Sequence, residues 1–255
     1  MNGSRGLCVA VLGTKGAPGA TTVAIRLAVD VATLGVPTAL ADLDPEGGDV
    51  TAYLGLDPRR NLFTLAHMSA GLLGEEVLRS EGQDLGGGLF VITGVPRREM
   101  AWEISQDLAG DVVERLGDLF PVVVCDVGRD PTAPLVCSAV DRADVVLLTA
   151  RADLVGTWNA ERVLAALPSN CRASTRLVVS RVRRGESPQE LAAVLDVPLA
   201  AIVPLHAAEA RRAVAAQRPM RGRGLRAIKS LARELASAPS PMSSESQFAV
   251  QEAVT

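Results

Sequence analysis

Seven short apolar runs, separated by longer amphipathic stretches, are the feature that most limits how this chain can fold. The runs span residues 7–13, 37–43, 89–95, 121–127, 144–150, 175–182 and 199–205. Runs that are apolar throughout, rather than at every second position, are typical of strands buried on both faces of a parallel sheet. The pattern therefore predicts an α/β fold, with a doubly wound, mostly parallel sheet that has helices on both faces.

Helix-like segments lie between these runs, at residues 20–34, 99–116, 154–167 and 188–195. The stretch 49–88 is less regular and rich in glycine, which predicts short helices and loops. Residues 1–236 are expected to form a single domain, and the Pro/Ser-rich residues 237–255 a disordered tail. In a sheet of this kind, ligands bind beyond the carboxyl ends of the strands.

The composition narrows the class of protein. The formal net charge is −3 and the pI is near 5.5, so the overall charge provides no attraction to nucleic acid. The four cysteines show no metal-ligand or redox spacing. No apolar run reaches the ~18 residues of a membrane span, and the first residues lack the pattern of a signal peptide, so we expect a cytoplasmic protein.

The loop after the first apolar run matches much of the sequence pattern of a phosphate-binding loop but lacks the usual lysine. In the form G-x-x-x-x-G-K-[ST], lysine precedes the Ser/Thr that holds magnesium. Here Gly19, Thr21 and Thr22 are in place, and Ala20 stands at the lysine position. Backbone N–H groups of such a loop can surround an anion, and Thr21 would supply the magnesium hydroxyl. Because Ala20 and Thr14 break the strict pattern, an ordinary strand-to-helix turn stays open as the alternative.

Several sequence blocks resemble one family when they are taken together. Residues 15–22, K-G-A-P-G-A-T-T, resemble the deviant phosphate loop K-G-G-x-G-K-[ST]-T of the ParA/MinD family of P-loop ATPases, whose signature lysine is matched by Lys15. Residues 41–56 resemble the family's next acidic block, and residues 122–127 its Walker B strand. The chain is most similar to the CpaE/TadZ branch, which is tied to tight-adherence pilus machinery and commonly carries a small residue at the position of Ala20.

The resemblance implies ATP and Mg²⁺ as cofactors and a homodimer as the working form. Lys15 would reach across the dimer to the partner's phosphates, and with Asp44, which would orient the attacking water, it forms the implied catalytic pair. The implied magnesium residues are Thr21, Asp42 and Asp126. Asp42 would support the ligands around the metal, and Asp126 would hold the metal through a water molecule. The implied nucleotide-binding residues are Lys15, Gly16, Ala17, Pro18, Gly19, Ala20, Thr21, Thr22, Ser180 and Pro204.

Each of these assignments has a plainer alternative. Lys15 could be a solvated loop lysine, and Asp42 and Asp44 the polar end of a strand. Asp126 could cap the turn at residues 128–130. Pro204, which would begin the loop beside the adenine, is also an ordinary turn residue after a strand.

The sequence leaves three functions open. Loss of one fixed cation at a phosphate site typically costs about 10²–10³ in rate, so Ala20 predicts slow or absent ATP hydrolysis. The first hypothesis is a dimerising positioning protein that binds a pilus, secretion or division-site partner. The second is an active chromosome-partitioning or septum-site ATPase that binds DNA or membrane. The third is a nucleotide-independent scaffold.

The C-terminal segment 221–236 is basic and amphipathic. Such a helix can lie on an anionic membrane, which would make the protein peripheral at the inner face of the plasma membrane, or it can contact DNA weakly and nonspecifically. The favoured alternative is a last helix packed on the domain with a solvated basic face. Trp102 and Trp158 are expected to be packing or interface residues.

Overall fold

In the computed structural model, which describes residues 5–16, 19–68, 73–222 and 225–237, eight strands form one sheet. Ala17, Pro18 and nearly all of the expected tail lie outside the described residues. The strands are β1 (Leu7–Gly13), β2 (Thr38–Asp42), β3 (Gln83–Asp84), β4 (Leu89–Ile92), β5 (Val122–Asp126), β6 (Val145–Ala150), β7 (Thr175–Val182) and β8 (Leu199–Pro204).

The sheet has the order β3-β4-β2-β5-β1-β6-β7-β8, and all pairs except β3–β4 are parallel. This confirms the predicted doubly wound fold. The chain leaves β1 toward β2 on one side and later fills the other side with β6, β7 and β8. A ligand is expected where the direction of filling changes, at the carboxyl ends of β1 and its neighbours.

The helices cover both faces of the sheet. They are α1 (Ala20–Thr33), α2 (Val50–Leu54), α3 (Leu62–Met68), α4 (Glu75–Glu81), a 3₁₀ helix (Arg98–Glu103), α5 (Leu108–Leu119), α6 (Pro134–Asp141), α7 (Leu154–Ala166), α8 (Ser169–Ala173), α9 (Pro188–Leu195), α10 (Ala207–Ala215) and α11 (Arg226–Ala236). One face packs against α1 and α11, and the other against a larger group that includes α5, α6, α7 and α9.

Alternation along each strand creates these two cores. In β1, Cys8 and Leu12 point to the face that carries α5, whereas Val9 and Val11 point to the face that carries α1. All four are fully buried. Full burial of one such aliphatic side chain contributes about 1.5–3 kcal/mol, so these two apolar layers hold the strand ends in place around the ligand site.

The prediction of one helix over residues 99–116 was wrong. The structure has a 3₁₀ helix, an extended residue at Ile104 and then α5, which begins at Leu108. The reason is a contact with α6: the Ser138 hydroxyl accepts a hydrogen bond from Gly110 N at 3.0 Å and donates one to the Asp107 carbonyl. The start of α5 is therefore fixed by a helix that follows it in the chain.

The stretch 49–88 contains the predicted short helices and also a strand that was not predicted. β3 pairs with β4 through a tight turn in which Leu85 N donates to Leu89 O at 2.9 Å. Gly86, Gly87 and Gly88 all have positive φ, at 75°, 59° and 82°. Three successive left-handed residues are accessible to glycine at little cost, which explains the glycine triplet.

The last helix, α11, packs on the sheet as the favoured alternative predicted. Ile228, Leu231 and Leu235 are buried against α1 and β8, whereas Arg226 and Lys229 are exposed. The apolar face is therefore occupied by the protein itself. Among the described residues, no helix is long and apolar enough to cross a membrane.

Candidate functional site

A cleft of about 740 Å³ opens at the carboxyl ends of β1, β5, β7 and β8. This is the position expected for a ligand in a doubly wound sheet, and the volume is typical of small-molecule sites. The cleft brings together most of the residues that the sequence predicted for nucleotide and metal: Gly19, Ala20, Thr21, Thr22, Asp44, Asp126, Ser180 and Pro204.

The phosphate-type loop joins β1 to α1 and is tied to its neighbours by backbone hydrogen bonds. Gly13 N donates to Gly128 O at 2.7 Å, and Thr14 N donates to Thr149 O at 3.1 Å. Gly16 and Gly19 have φ of 102° and 88°, values that favour glycine. No side chain caps the N-terminus of α1, and its first turn has no acidic residue. The free backbone N–H groups at this end of the helix can therefore donate hydrogen bonds to an anion.

Thr21 and Asp126 lie opposite each other at the inner end of the cleft. The Thr21 hydroxyl lies beside the Asp126 carboxylate, which ends β5 and is 1% exposed. Burial raises the pKa of Asp126 to about 7, and the nearby Thr21 hydroxyl, which favours the ionised form, opposes that rise. The Asp126 Oδ1 atom has no hydrogen-bond partner. A buried oxygen without a partner, beside a hydroxyl, suits a divalent cation.

Mg²⁺ fits this pair because it keeps several water ligands and usually takes only one or two protein carboxylates together with substrate phosphates. Within the described ranges, no group of three or more His, Cys, Asp or Glu residues could hold a metal with protein ligands alone. A magnesium ion bound here would need phosphate oxygens and water as its remaining ligands. The metal roles of Thr21 and Asp126 stay predictions.

Asp44 lines the same cleft and touches the loop after β5. Its Oδ1 accepts from Glu46 N at 2.9 Å, and burial raises its pKa. Gly128, at φ 76°, lies so close that a β-carbon there would collide with the Asp44 carboxylate. Glycine at position 128 thus lets the two loops meet and keeps Asp44 beside Asp126. The role of Asp44 in orienting the attacking water stays a prediction.

Asp42 lies beneath the cleft rather than on its wall. It is fully buried, its Oδ2 accepts from Val50 N at 3.0 Å, and its Oδ1 accepts from Asp44 N at 3.3 Å. Burial, with the nearby Asp126 carboxylate, raises its pKa well above the usual range. Gly94 packs against the same carboxyl group, 2.8 Å from where its β-carbon would stand. These contacts suit the supporting role predicted for Asp42 and not direct contact with a metal.

Ser180 and Pro204 lie where β7 and β8 enter the cleft. Ser180 is buried, and the residue after it, Arg181, has φ of 56° at an irregularity in the β7–β8 register. Pro204 ends β8 and is exposed. Both residues line the cleft, so its outer part has room for a base, and their contact with adenine stays a prediction.

Lys15 does not line the main cleft. It lies in a neighbouring cleft with Arg129, Asp130, Asn159 and Arg162, and the Asn159 Nδ2 atom donates to the Lys15 carbonyl at 3.4 Å. Its side chain is exposed. This placement separates Lys15 from the other predicted nucleotide residues, as expected for a lysine that serves a partner's site, and it is also compatible with a solvated lysine.

Three residues at the site were missed by the sequence reasoning. Thr14 is buried, its hydroxyl has no hydrogen-bond partner, and it lines the cleft. Gly128 is the residue that allows close contact with Asp44, and Arg129 lines both clefts. A signal was available for the last two, because both come directly after the predicted buried strand 121–127, which contains Asp126.

The chain has weak sequence similarity to MinD proteins. It is 25% identical over 212 residues to a septum site-determining protein MinD of Chlorella vulgaris, covering 79% of this chain and 73% of the relative. It is 24% identical over 221 residues to MinD of Neisseria meningitidis serogroup B, covering 77% of each chain. No family model matches the chain.

Solved structures show the same fold. A ParA family ATPase of Chlorobium tepidum superposes with a TM-score of 0.78 and 14% identity, covering 92% of this chain and 99% of that one. The septum site-determining protein MinD of Pyrococcus horikoshii, in complex with Mg-ADP, superposes with a TM-score of 0.76 and 18% identity, covering 91% and 96%. The chain therefore has the fold of the MinD/ParA ATPases.

Proposed function

We propose that this chain is a MinD/ParA-type protein that binds Mg-ATP, dimerises on it, and positions a partner complex in the cell, with slow or no hydrolysis. The observation that carries the proposal is the cleft itself. An uncapped helix N-terminus, the Thr21–Asp126 pair and Asp44 meet there at the carboxyl ends of parallel strands. The MinD of Pyrococcus horikoshii, which has the same fold, holds Mg-ADP.

Each part of the cleft has one task in this proposal. The first turn of α1 binds phosphate oxygens through its N–H groups. Thr21 and Asp126 hold Mg²⁺, which neutralises part of the triphosphate charge when it is bound. Asp44 orients a water molecule. Ala20 supplies no charge, which leaves the transition state without one preorganised cation and makes hydrolysis slow.

Dimerisation is supported by the surface beside Lys15. Three apolar residues in the first turns of α7 are strongly exposed: Leu154 at 86%, Val155 at 66% and Trp158 at 63%. The bond from Asn159 to the Lys15 carbonyl ties these turns to the phosphate-type loop. An apolar patch that adjoins an exposed lysine suits a second copy of the chain, which would bury the patch and bring Lys15 to the partner's phosphates.

The placement of the partner complex at a pilus or secretion site, in the manner of CpaE/TadZ proteins, is proposed from the sequence resemblance alone. A division-site role is the second candidate, because the relatives matched by sequence are MinD proteins. If that candidate is right, attachment to a membrane or to DNA uses the exposed basic face of α11, since the apolar face is buried.

The test has two steps. Calorimetry with Mg-ATP is expected to show binding to the wild type, and at protein concentrations too low for dimers to form Lys15→Ala is expected to bind with similar affinity because Lys15 lies outside the cleft. Analytical ultracentrifugation with Mg-ATP is expected to show a dimer for the wild type but a monomer for Lys15→Ala and for Val155→Glu. A wild type that binds no nucleotide contradicts the proposal.

Val194→Glu is the matched control for Val155→Glu. The two valines are similarly exposed, at 64% and 66%, but Val194 lies in the last turn of α9, which leads into the amino end of β8, whereas Val155 follows the carboxyl end of β6. The control is expected to dimerise like the wild type. Loss of the dimer in both variants, or in neither, would exclude the α7 patch as the dimer surface.

A further inference from the structure

Among the described residues, the phosphate end of the cleft has no fixed cation, and the arrangement around Ala20 shows where one is available. A β-carbon built on Gly13 would lie 3.4 Å from the Ala20 β-carbon and 3.7 Å from the Arg129 β-carbon. The side chains of Ala20 and Arg129 therefore start close together, beside the hydrogen bond between Gly13 and Gly128. Arg129 is thus next to the position that a lysine at 20 would occupy.

Of the positively charged residues that line the cleft, Arg129 is the one at its phosphate end, near Ala20. Of the arginines and lysines in the described ranges, Arg129, Arg181 and Arg211 line it. Arg181 directly follows Ser180, the last buried residue of β7, and Arg211 is on α10, the helix that follows Pro204. Arg129 instead follows the turn whose carbonyl group accepts from Gly13.

The present partner of Arg129 holds it weakly. Its Nη2 atom lies 3.3 Å from Oε2 of Glu46, and the Arg129 side chain is 56% exposed. Exposed ion pairs contribute little to stability, so little free energy opposes movement of the guanidinium. Glu46 also has a second arginine, because Arg98 Nη2 lies 3.2 Å from its Oε1. When Arg129 leaves, Glu46 therefore stays paired.

We propose that Arg129 supplies from within the same chain the positive charge that Ala20 does not, by moving from Glu46 to the β- and γ-phosphates of a bound nucleoside triphosphate. The inference rests on the proposed nucleotide binding. A guanidinium group is always charged and can bind two phosphate oxygens at once, which suits it to this exchange. Lys15, in the neighbouring cleft, remains available to the partner subunit.

The experiment is a double-mutant cycle read by binding, not by hydrolysis. Mg-ATP affinity is measured by calorimetry for the wild type, Arg129→Ala, Ala20→Lys and the double variant. Arg129→Ala is expected to lower the affinity about tenfold or more, as loss of a charge-assisted phosphate contact does. Ala20→Lys is expected to restore most of that loss in the double variant, and to raise the affinity less when Arg129 is present.

Arg115→Ala is the matched control, because Arg115 is also 56% exposed and paired with one carboxylate, that of Asp118, but does not line the cleft. It is expected to leave Mg-ATP affinity within about twofold of the wild type. AMP, which lacks the outer phosphates, is expected to bind Arg129→Ala and the wild type equally.

Two outcomes overturn the inference in distinguishable ways. If the wild type binds Mg-ATP and Arg129→Ala binds it equally well, or if Ala20→Lys raises affinity by the same factor with and without Arg129, only the role of Arg129 fails. If the wild type binds no Mg-ATP, the proposed function fails and the role of Arg129 fails with it.

Discussion

Asp126 makes the stability of the nucleotide-free protein depend on pH in an unusual direction. Burial raises its pKa from the ordinary value of 3.8 to about 7. Between these two values the unfolded chain has lost the proton, whereas the folded protein keeps it. The folded state then binds more protons, so the free energy of unfolding falls as pH rises from about 4 to 7.

The perturbation is Asp126→Asn, which keeps the shape of the side chain and removes the ionisation. Each unit of pKa shift corresponds to about 1.4 kcal/mol, so the ionised carboxylate destabilises the fold by at most about 4 kcal/mol. The effect is shared with Asp42, which is paired with Asp126 in the β2–β5 register and whose pKa is also raised by burial. The variant is expected to match the wild type near pH 4 and to be more stable above pH 7.

The assay is urea unfolding at a series of pH values between 4.5 and 8, without nucleotide or divalent metal. Asp196→Asn is the control, because it makes the same chemical change at an exposed position where asparagine tolerates the left-handed backbone (φ 52°). The reasoning is refuted if Asp126→Asn and the wild type lose stability equally between pH 5 and 8, or if the variant is the less stable protein at pH 8.

Two further substitutions test the close contact at the site and the packing of the last helix. Gly128→Ala is expected to destabilise the protein by more than Gly35→Ala, whose left-handed backbone alone costs about 1–2 kcal/mol, because only position 128 collides with Asp44. Calorimetry is expected to show weaker Mg-ATP binding for Gly128→Ala alone, and equal losses in both variants would contradict the assigned contact. Ile228→Ala is expected to cost about 2–5 kcal/mol in urea unfolding, against less than about 0.5 kcal/mol for the exposed neighbour Lys229→Ala. A small loss at Ile228 would mean that α11 is not part of the folded core.

The sheet could be predicted because local sequence determines its strands. The predicted bounds of the strands at residues 7–13 and 175–182 are those of the structure. A strand that is buried on both faces is apolar along nearly its whole length, so the apolar run marks where the strand begins and ends. The start of α5 could not be predicted, because it depends on hydrogen bonds to Ser138 on α6. Periodicity in a short window carries no information about such a distant partner.

The same distinction applies to the site. The loop residues and Asp126 follow from spacing within one strand–loop–helix unit, so the sequence could propose them. The approach of Arg129 to Glu46 joins residues 83 positions apart, on the loops that follow β5 and β2. Those strands are neighbours in the sheet but not in the chain, so the contact depends on strand order as well as on side-chain direction.

Position 20 is alanine where a phosphate-binding loop usually has lysine. The lack of this one cation accounts both for the raised pKa values of Asp44 and Asp126 and for the role proposed for Arg129. A lysine at position 20 would lie among the residues that line the cleft with Asp44 and Asp126, where a fixed cation lowers the pKa of nearby carboxyl groups. Without it, burial dominates and both values rise. In the proposed function, positive charge would then come from two exposed side chains, Lys15 and Arg129, which must move to reach phosphate. Fast phosphoryl transfer relies on charges that are already in place, whereas binding and dimerisation can use charges that arrive with the ligand. If both roles are right, the site would act as a nucleotide-dependent switch and not as a rapid ATPase.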